Sequence, residues 1–181
     1  MKVLVTGPQG SGKSTQAVLL AQDLGLPHLQ LGEMFRTISL IDDSQKAQKV
    51  REALASGEFV PSDLAAEIIN KRLSQADCQN GFVLDGFPRN LKDLGNFSQQ
   101  LDVVFYIKIS DAEAAKRLLA RSRADDTKEL IWERLANYHS ETETILKTFT
   151  ESGILTEIDG ERTIEAIHQD IVKRLKAHEV H

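Results

Sequence analysis

Few folds accommodate the stretch Val-Leu-Val-Thr-Gly-Pro-Gln-Gly-Ser-Gly-Lys-Ser-Thr that runs from Val3 to Thr15. A short apolar run, Val3–Val5, reaches a loop with glycines at 7, 10 and 12. Lys13, Ser14 and Thr15 follow, and then helix-forming residues. Gly7, Gly12, Lys13 and Ser14 fit the spacing G-x-x-x-x-G-K-[ST] between a strand and a helix, the pattern of a phosphate-binding loop. Glycines let backbone N–H groups turn inward around a phosphate without Cβ clashes, and the helix that starts there adds its positive dipole end. Lys13 can reach the outer phosphates, and the Ser14 or Thr15 hydroxyl can ligate Mg²⁺. A mere glycine-rich turn does not account for every constrained position and its flanks fitting at once. The chain is expected to bind a nucleoside triphosphate.

Apolar spacing carries the alternation of strands and helices onward. Ala17, Leu20, Ala21 and Leu24 recur at helical period, which predicts a helix from Lys13 to Leu24, capped by Gly25 and stopped before Pro27. His28–Leu31 reads as a short buried strand. Helices are expected over 33–40 and 42–56, the second with an Ala47, Val50, Leu54 stripe and Gly57 as its stop. Pro61-Ser62-Asp63 opens another, with Leu64, Ile68, Ile69 and Leu73 inward. Polar residues 75–80 read as a loop, Gly81–Gly86 as a strand and 91–100 as a helix. Val103–Ile109 is a nearly continuous apolar run, the mark of a strand buried on both faces of a parallel sheet.

Beyond it, Asp111–Arg121 is predicted helical with Ala112, Ala115, Leu118 and Leu119 inward. One long helix is expected over 126–150, because Ile131, Leu135, Tyr138, Thr142, Ile145 and Phe149 step by 4, 3, 4, 3, 4. Trp132 lies off that stripe and reads as a packing residue at a helix edge. A strand over 154–158, an Asp159-Gly160 turn and a helix over 163–176 with Ile164, Ile167, Ile171 and Leu175 inward complete the chain. The pattern is α/β, a parallel sheet with helices on both faces. No repeat or linker interrupts the 181 residues, so one domain is expected.

A net charge of −5 argues against binding a nucleic-acid polymer, though it leaves room for a local basic pocket. The single Cys78 cannot form an internal disulfide and reads as an incidental thiol. No apolar run approaches the ~20 residues that span a bilayer. Met1 leads straight into strand and loop, leaving no room for a signal peptide, and a cytosolic protein is expected.

A phosphate loop fixes the donor, not the acceptor. Asp85 ends an apolar strand, where a carboxylate can sit beside the phosphates and hold Mg²⁺ directly or through water; a strand-terminal Asp is also an ordinary turn residue. Arg117 and Arg121 lie on one helix face. Arg123, Arg134, Arg36 and Arg89 come from other segments, and each taken singly is a solvated surface arginine.

Together these stretches resemble the adenylate kinase, or nucleoside monophosphate kinase, family along almost the whole chain. The resemblance rests on Gly7–Thr15, Leu31-Gly32-Glu33-Met34-Phe35-Arg36, Gly57–Asp63, Arg123-Ala124-Asp125-Asp126, Glu133-Arg134-Leu135 and Ile158-Asp159-Gly160. Most specific is Asp-Gly-Phe-Pro-Arg at 85–89. It implies a P-loop kinase fold with a five-stranded parallel core of order 2-3-1-4-5. It also implies an acceptor-binding flap over about 30–61 and a very short lid over about 121–126. By position, Gly10, Ser11, Gly12, Lys13, Ser14 and Thr15 would cradle ATP, with Arg117, Gly160 and Arg162 near its adenine. Lys13, Arg89, Arg121, Arg123 and Arg134 would act on the transferring phosphoryl group. Leu31, Arg36, Val60, Gly86, Arg89 and Asp93 would receive the monophosphate. Ser14, Glu33 and Asp85 would hold Mg²⁺, the last two through water. The attacking atom would be an anionic phosphate oxygen, so no general base is needed, and none of the five histidines sits in a catalytic motif.

Three departures from the family pattern bear on the substrate. Ser14 replaces the glycine that usually follows the lysine, which suits a direct Mg²⁺ ligand. Gln30-Leu31 replaces the frequent Ser-Thr before Gly32-Glu33. Asp93 stands where an adenylate kinase usually places a glutamine for the adenine edge. An ionised carboxylate only accepts hydrogen bonds, so Asp93 either meets a base edge richer in donors or faces water. Phosphorylation of AMP by ATP in a Mg²⁺-dependent monomer leads. A CMP, UMP or GMP kinase, a kinase of another small metabolite, and an ATP-binding sensor without turnover are the alternatives.

Overall fold

The computed structural model describes residues 1–56, 58–121 and 127–178. In chain order, β1 (Lys2–Thr6) leads through the phosphate loop into α1 (Lys13–Leu24) and then β2 (His28–Gln30). The helices α2 (Leu31–Ile41), α3 (Gln45–Ser56) and α4 (Ser62–Leu73) follow. After β3 (Phe82–Asp85) and α5 (Leu91–Asn96) come β4 (Val103–Lys108) and α6 (Asp111–Arg121). The chain then runs through α7 (Lys128–Asn137), a π-helical turn at Tyr138–Thr142, α8 (Glu143–Glu151), β5 (Leu155–Asp159) and α9 (Ile164–His178).

The five strands form one parallel sheet in the order β2-β3-β1-β4-β5. Alternate strand residues are buried on opposite faces, as the continuous apolar runs require. Leu4, Leu84 and Val104 meet α4 and α8 through Ile69, Ile145 and Phe149. Val3, Val5, Phe105 and Ile107 meet α1 and α9 through Leu20, Ile167 and Ile171. Register sets Val5 beside Asp85 on one side and Phe105 on the other, so the phosphate loop and Asp85 leave the sheet at the same edge. There the chain passes to β2 and β3 on one flank and to β4 and β5 on the other, the place where α/β sheets open a crevice for ligands.

Periodicity placed α1 and α6 at their observed bounds and Gly25 as a left-handed cap (φ 61°). Elsewhere the inward face is turned slightly. Ala53 rather than Leu54 is buried on α3, and Ala114 replaces Ala112 and Leu119 on α6; Leu54 and Leu119 are exposed. Ile164, at the first turn of α9, is also exposed. The helix expected over 91–100 stops at Asn96, with the Phe97 N–H bonded to the Leu94 carbonyl. Gly57 and Asp126, the first residue of the helix expected over 126–150, lie outside the described residues.

That expected long helix is the main revision. All six stripe residues are buried, yet the backbone passes through the π turn between α7 and α8. A periodic stripe reports which side is apolar; it does not report how the carbonyls pair. At this turn, His139 joins the pieces to α6. Its Nε2 meets Asp111 Oδ1 at 2.9 Å and its Nδ1 meets Glu143 Oε1 at 2.8 Å. A neutral imidazole has one N–H, so only the imidazolium donates to both carboxylates. The hydrogen bond to Asp111, then that to Glu143, holds the His139 pKa above its ordinary 6.5. Because the folded value is the higher one, the stabilisation is complete below pH 6.5 and fades as pH rises through the folded value. The melting-temperature gap between wild type and His139→Ala is therefore expected to be wider at pH 6 than at pH 9, as about 6.5 is the unperturbed imidazole value. Equal gaps at the two pH values would refute the imidazolium bridge.

Candidate active site

The loop takes its shape from glycine. Gly10 has φ +86° and a Cβ there would sit 2.9 Å from the Ala114 carbonyl, while Gly12, the residue before α1, has φ +85°. Side chains rarely adopt such angles, and the close approach ties the loop to α6. Ser11 is fully buried, and its N–H bonds the Pro8 carbonyl at 3.2 Å. The first turn of α1 then presents Lys13, Ser14 and Thr15 to a cleft of about 490 Å³.

The walls of this cleft come from across the sheet edge. They include Gly10, Gly12, Lys13, Ser14, Thr15, Arg36, Asp85, Gly86, Arg89, Arg117, Arg121 and Arg134, all singled out in the sequence. Six cationic side chains thus face two carboxylates, Asp85 and Glu58, in a chain whose net charge is −5. A concentration of positive charge at a helix start is an anion site.

Asp85 is 2% exposed, and neither of its carboxylate oxygens has a hydrogen-bond partner among the described residues. A buried carboxylate left this way normally serves a ligand, an ion or water. Lys13 and Arg89 are its electrostatic neighbours. Burial pushes the Lys13 pKa below the usual lysine range; Asp85 opposes that shift, and Arg89 and Arg121 reinforce it. Burial likewise lowers Arg89, against the attraction of Asp93 and Asp85. Among the described residues, Lys13 Nζ has a single 3.3 Å contact, to the Pro8 carbonyl, which leaves it able to turn toward a phosphate. An oxygen-only set of Asp85 and the Ser14 hydroxyl matches the hard-cation preference of Mg²⁺.

Arg89 is held from three sides. Its Nε donates to the Gly86 carbonyl at 2.7 Å, its backbone N–H donates to Asp93 Oδ2 at 2.9 Å, and its guanidinium carbon lies 5.2 Å from the Phe59 ring centroid. Phe87–Pro88, just before it, is a cis peptide. Arg117 clips the phosphate loop to the segment after β5: Nη2 donates to the Gly160 carbonyl at 3.0 Å and Nη1 to the Gly10 carbonyl at 3.5 Å, while Nε pairs with Glu113 at 2.8 Å.

The structure turns several of the expected side chains away from the cleft. Asp93 faces neither a base edge nor water. It is 4% exposed, on a short helix capped by Asn90, and its carboxylate holds the Arg89 backbone. Leu31 and Val60 place their side chains in the hydrophobic core. Glu33 faces a separate groove with His28 and Arg72. Arg162 pairs with Asp159 and Asp170 instead of entering the cleft. Arg123 lies outside the described residues. Conversely, Gln9, Gln30, Ala53, Leu54, Glu58, Phe59 and Asn137 line the cleft without having been singled out as site residues. Gln30 had stood out only as a departure from the family pattern, and the exposed edge of α3 gave no sign of what it would face.

Removing the Asp93 carboxylate strands a part-buried N–H. Asp93→Ala is expected to lose about 1–3 kcal/mol of stability in urea denaturation, with the order of preference among monophosphates unchanged. A switched base preference at full stability would return Asp93 to the acceptor site.

The family model described as adenylate kinase matches residues 5–154. Among curated proteins, the adenylate kinase of Nocardia farcinica is 34% identical, with 97% of this chain and 99% of that protein aligned. Adenylate kinase 1 of Synechocystis is 36% identical, with 96% of each aligned. The adenylate kinase of Mycobacterium tuberculosis is 34% identical over 97% of this chain and 99% of its own length.

Proposed function

The chain belongs to the adenylate kinase family, and from that premise we propose that it transfers the γ-phosphoryl group of ATP to AMP, giving two ADP. The bond between the γ-phosphorus and the β–γ bridging oxygen breaks, and a bond from that phosphorus to an AMP phosphate oxygen forms. The observation that carries this reading is the buried Asp85, whose carboxylate oxygens have no hydrogen-bond partner among the described residues, beside Lys13 and Arg89 in a cleft that four further arginines line.

Phosphoryl transfer asks the protein for alignment and charge neutralisation more than for bond-making groups. Backbone N–H groups around Gly10 and Gly12 hold the donor phosphates, and Lys13 follows the γ-phosphoryl group. Arg36 and Arg89 grip the acceptor phosphate. Arg121, Arg123 and Arg134 offset charge on the group in flight. Arg117 lies along the donor base, near Gly160. Ser14 and Asp85 would hold Mg²⁺, Asp85 through water, and the ion would supply further charge neutralisation on the phosphates. The attacking oxygen is already anionic, so no side chain has to remove a proton.

Residues 30–61 act as the acceptor flap, since Arg36, Leu54, Glu58 and Phe59 form one wall of the cleft. Residues 121–126 act as a short lid whose Arg121 already lies at the cleft. In this reading the protein acts as a monomer. Among the described residues no helix is long and apolar enough to cross a membrane.

The test is an acceptor screen with ATP against AMP, CMP, UMP and GMP, following diphosphate by chromatography. Rapid ADP formation with AMP, and much slower reaction with the others, is expected. No diphosphate from any of them would overturn the reading.

A further inference from the structure

Two of the departures from the family pattern meet in space. Gln30 Nε2 donates to Ser14 Oγ at 3.1 Å. Gln30 ends β2, pairs in register with Asp85 at the end of β3, and Asp85 pairs in turn with Val5 of β1. Residues paired across parallel strands point to the same face of a sheet. Val5 faces the α1 side, packed with Ala17 and Leu20. Gln30 and Asp85 therefore emerge on the side from which α1 starts, and the Ser14 hydroxyl stands at that start. Gln30, Ser14 and Asp85 all line the same cleft.

A serine hydroxyl carries one O–H and two acceptor lone pairs, and alone it rotates freely. With the Gln30 amide on one lone pair, the other lone pair and the proton are confined to the remaining directions. Both oxygens of neighbouring Asp85 still lack a hydrogen-bond partner among the described residues. A small hard cation beside a triphosphate takes oxygen ligands in a strict octahedral geometry, so a hydroxyl already turned the right way loses less freedom on binding it.

We propose that Gln30 is a positioning residue that orients the Ser14 hydroxyl as an oxygen ligand for the divalent cation of the bound triphosphate. This rests on the assignment of the cleft as the ATP site. It also reassigns Gln30, whose place just before Gly32-Glu33 suggested the acceptor base, to the donor side of the reaction.

The test compares binding of ATP with Mg²⁺ and ATP in EDTA by calorimetry, without turnover. Wild type is expected to bind the metal complex more tightly. Partners that orient a metal ligand are worth about 10–100-fold in metal affinity, so Gln30→Ala is expected to cut that metal enhancement by about tenfold. Gln30→Met, which keeps the length of the side chain without its N–H, is expected to do the same and covers a failure of the alanine variant to fold. Ser14→Ala is expected to lose as much, and Ser14→Ala with Gln30→Ala no more than either single change, because the two act through one oxygen. AMP affinity is expected to stay unchanged in the Gln30 variants. An unaltered metal enhancement in Gln30→Met, or weakened AMP binding in its place, overturns the proposal, as does a wild type without metal enhancement. The comparison of ATP binding with and without metal does not depend on which monophosphate the protein phosphorylates, so the acceptor screen can fail while this test succeeds.

Discussion

Lys13→Ala is expected to lower kcat for ADP formation by about 10²-fold or more, the usual consequence of deleting one preorganised charge that meets the transition state. The ammonium is the compact cation at the first turn of α1, in a site where burial already weakens its charged form. Asp85 favours the charged form against that burial. In a site closed to water such a charge acts on the transferring group with little screening. Ground-state binding depends less on it, since the loop N–H groups and Arg117 remain. ATP affinity should therefore fall by a smaller factor than kcat, and Lys13→Arg should restore little, because a planar guanidinium is larger than the ammonium the loop encloses. Steady-state rates and ATP titration of the variant decide the matter. Near-normal kcat would remove Lys13 from the chemistry.

The second large effect is expected at Arg89. Arg89→Ala should reduce kcat/KM for the monophosphate by about 10²-fold or more, because a bidentate guanidinium–phosphate contact is lost together with its charge. The geometry argues for a prepared ligand. Nε is fixed on the Gly86 carbonyl and the backbone on Asp93, while the outer N–H groups have no protein hydrogen-bond partner among the described residues. The stacking over Phe59 is worth about 0.5–2 kcal/mol at most. Phe59→Ala should consequently weaken the acceptor far less than Arg89→Ala does. Arg89→Lys should remain impaired, since an ammonium cannot reproduce the fork. If Arg89→Ala lowers the melting temperature but leaves acceptor kinetics intact, the residue is structural.

Much of the fold was legible because the information is local. The glycine spacing of 7–12, the apolar run of β4 and the period of α1 each depend on neighbours within a few residues, and each element appeared where expected. The stripe on 131–149 was equally legible as a buried face. Its π turn was not, since both a regular and an interrupted helix bury the same six side chains. The site divides the same way. Lys13 follows from its place at the start of α1 and Asp85 from its place at the end of β3. Sequence position alone put Asp93, Glu33 and Arg162 nearby, but not their orientation.

Orientation depends on polar partners that apolar periodicity does not reveal. Asp170 takes the Arg162 guanidinium, the Arg89 N–H takes Asp93, and the register of β2 against β3 brings Gln30 to Ser14, 16 residues earlier in the chain. The sequence by itself determined a triphosphate loop at the head of a parallel sheet, because glycine conformation and apolar periodicity are properties of short segments. Only the tertiary structure decided which buried carboxylate in the cleft has no partner among the described residues and which residue holds the serine of the loop, because buried polar groups are settled by whatever else the fold brings within hydrogen-bond reach.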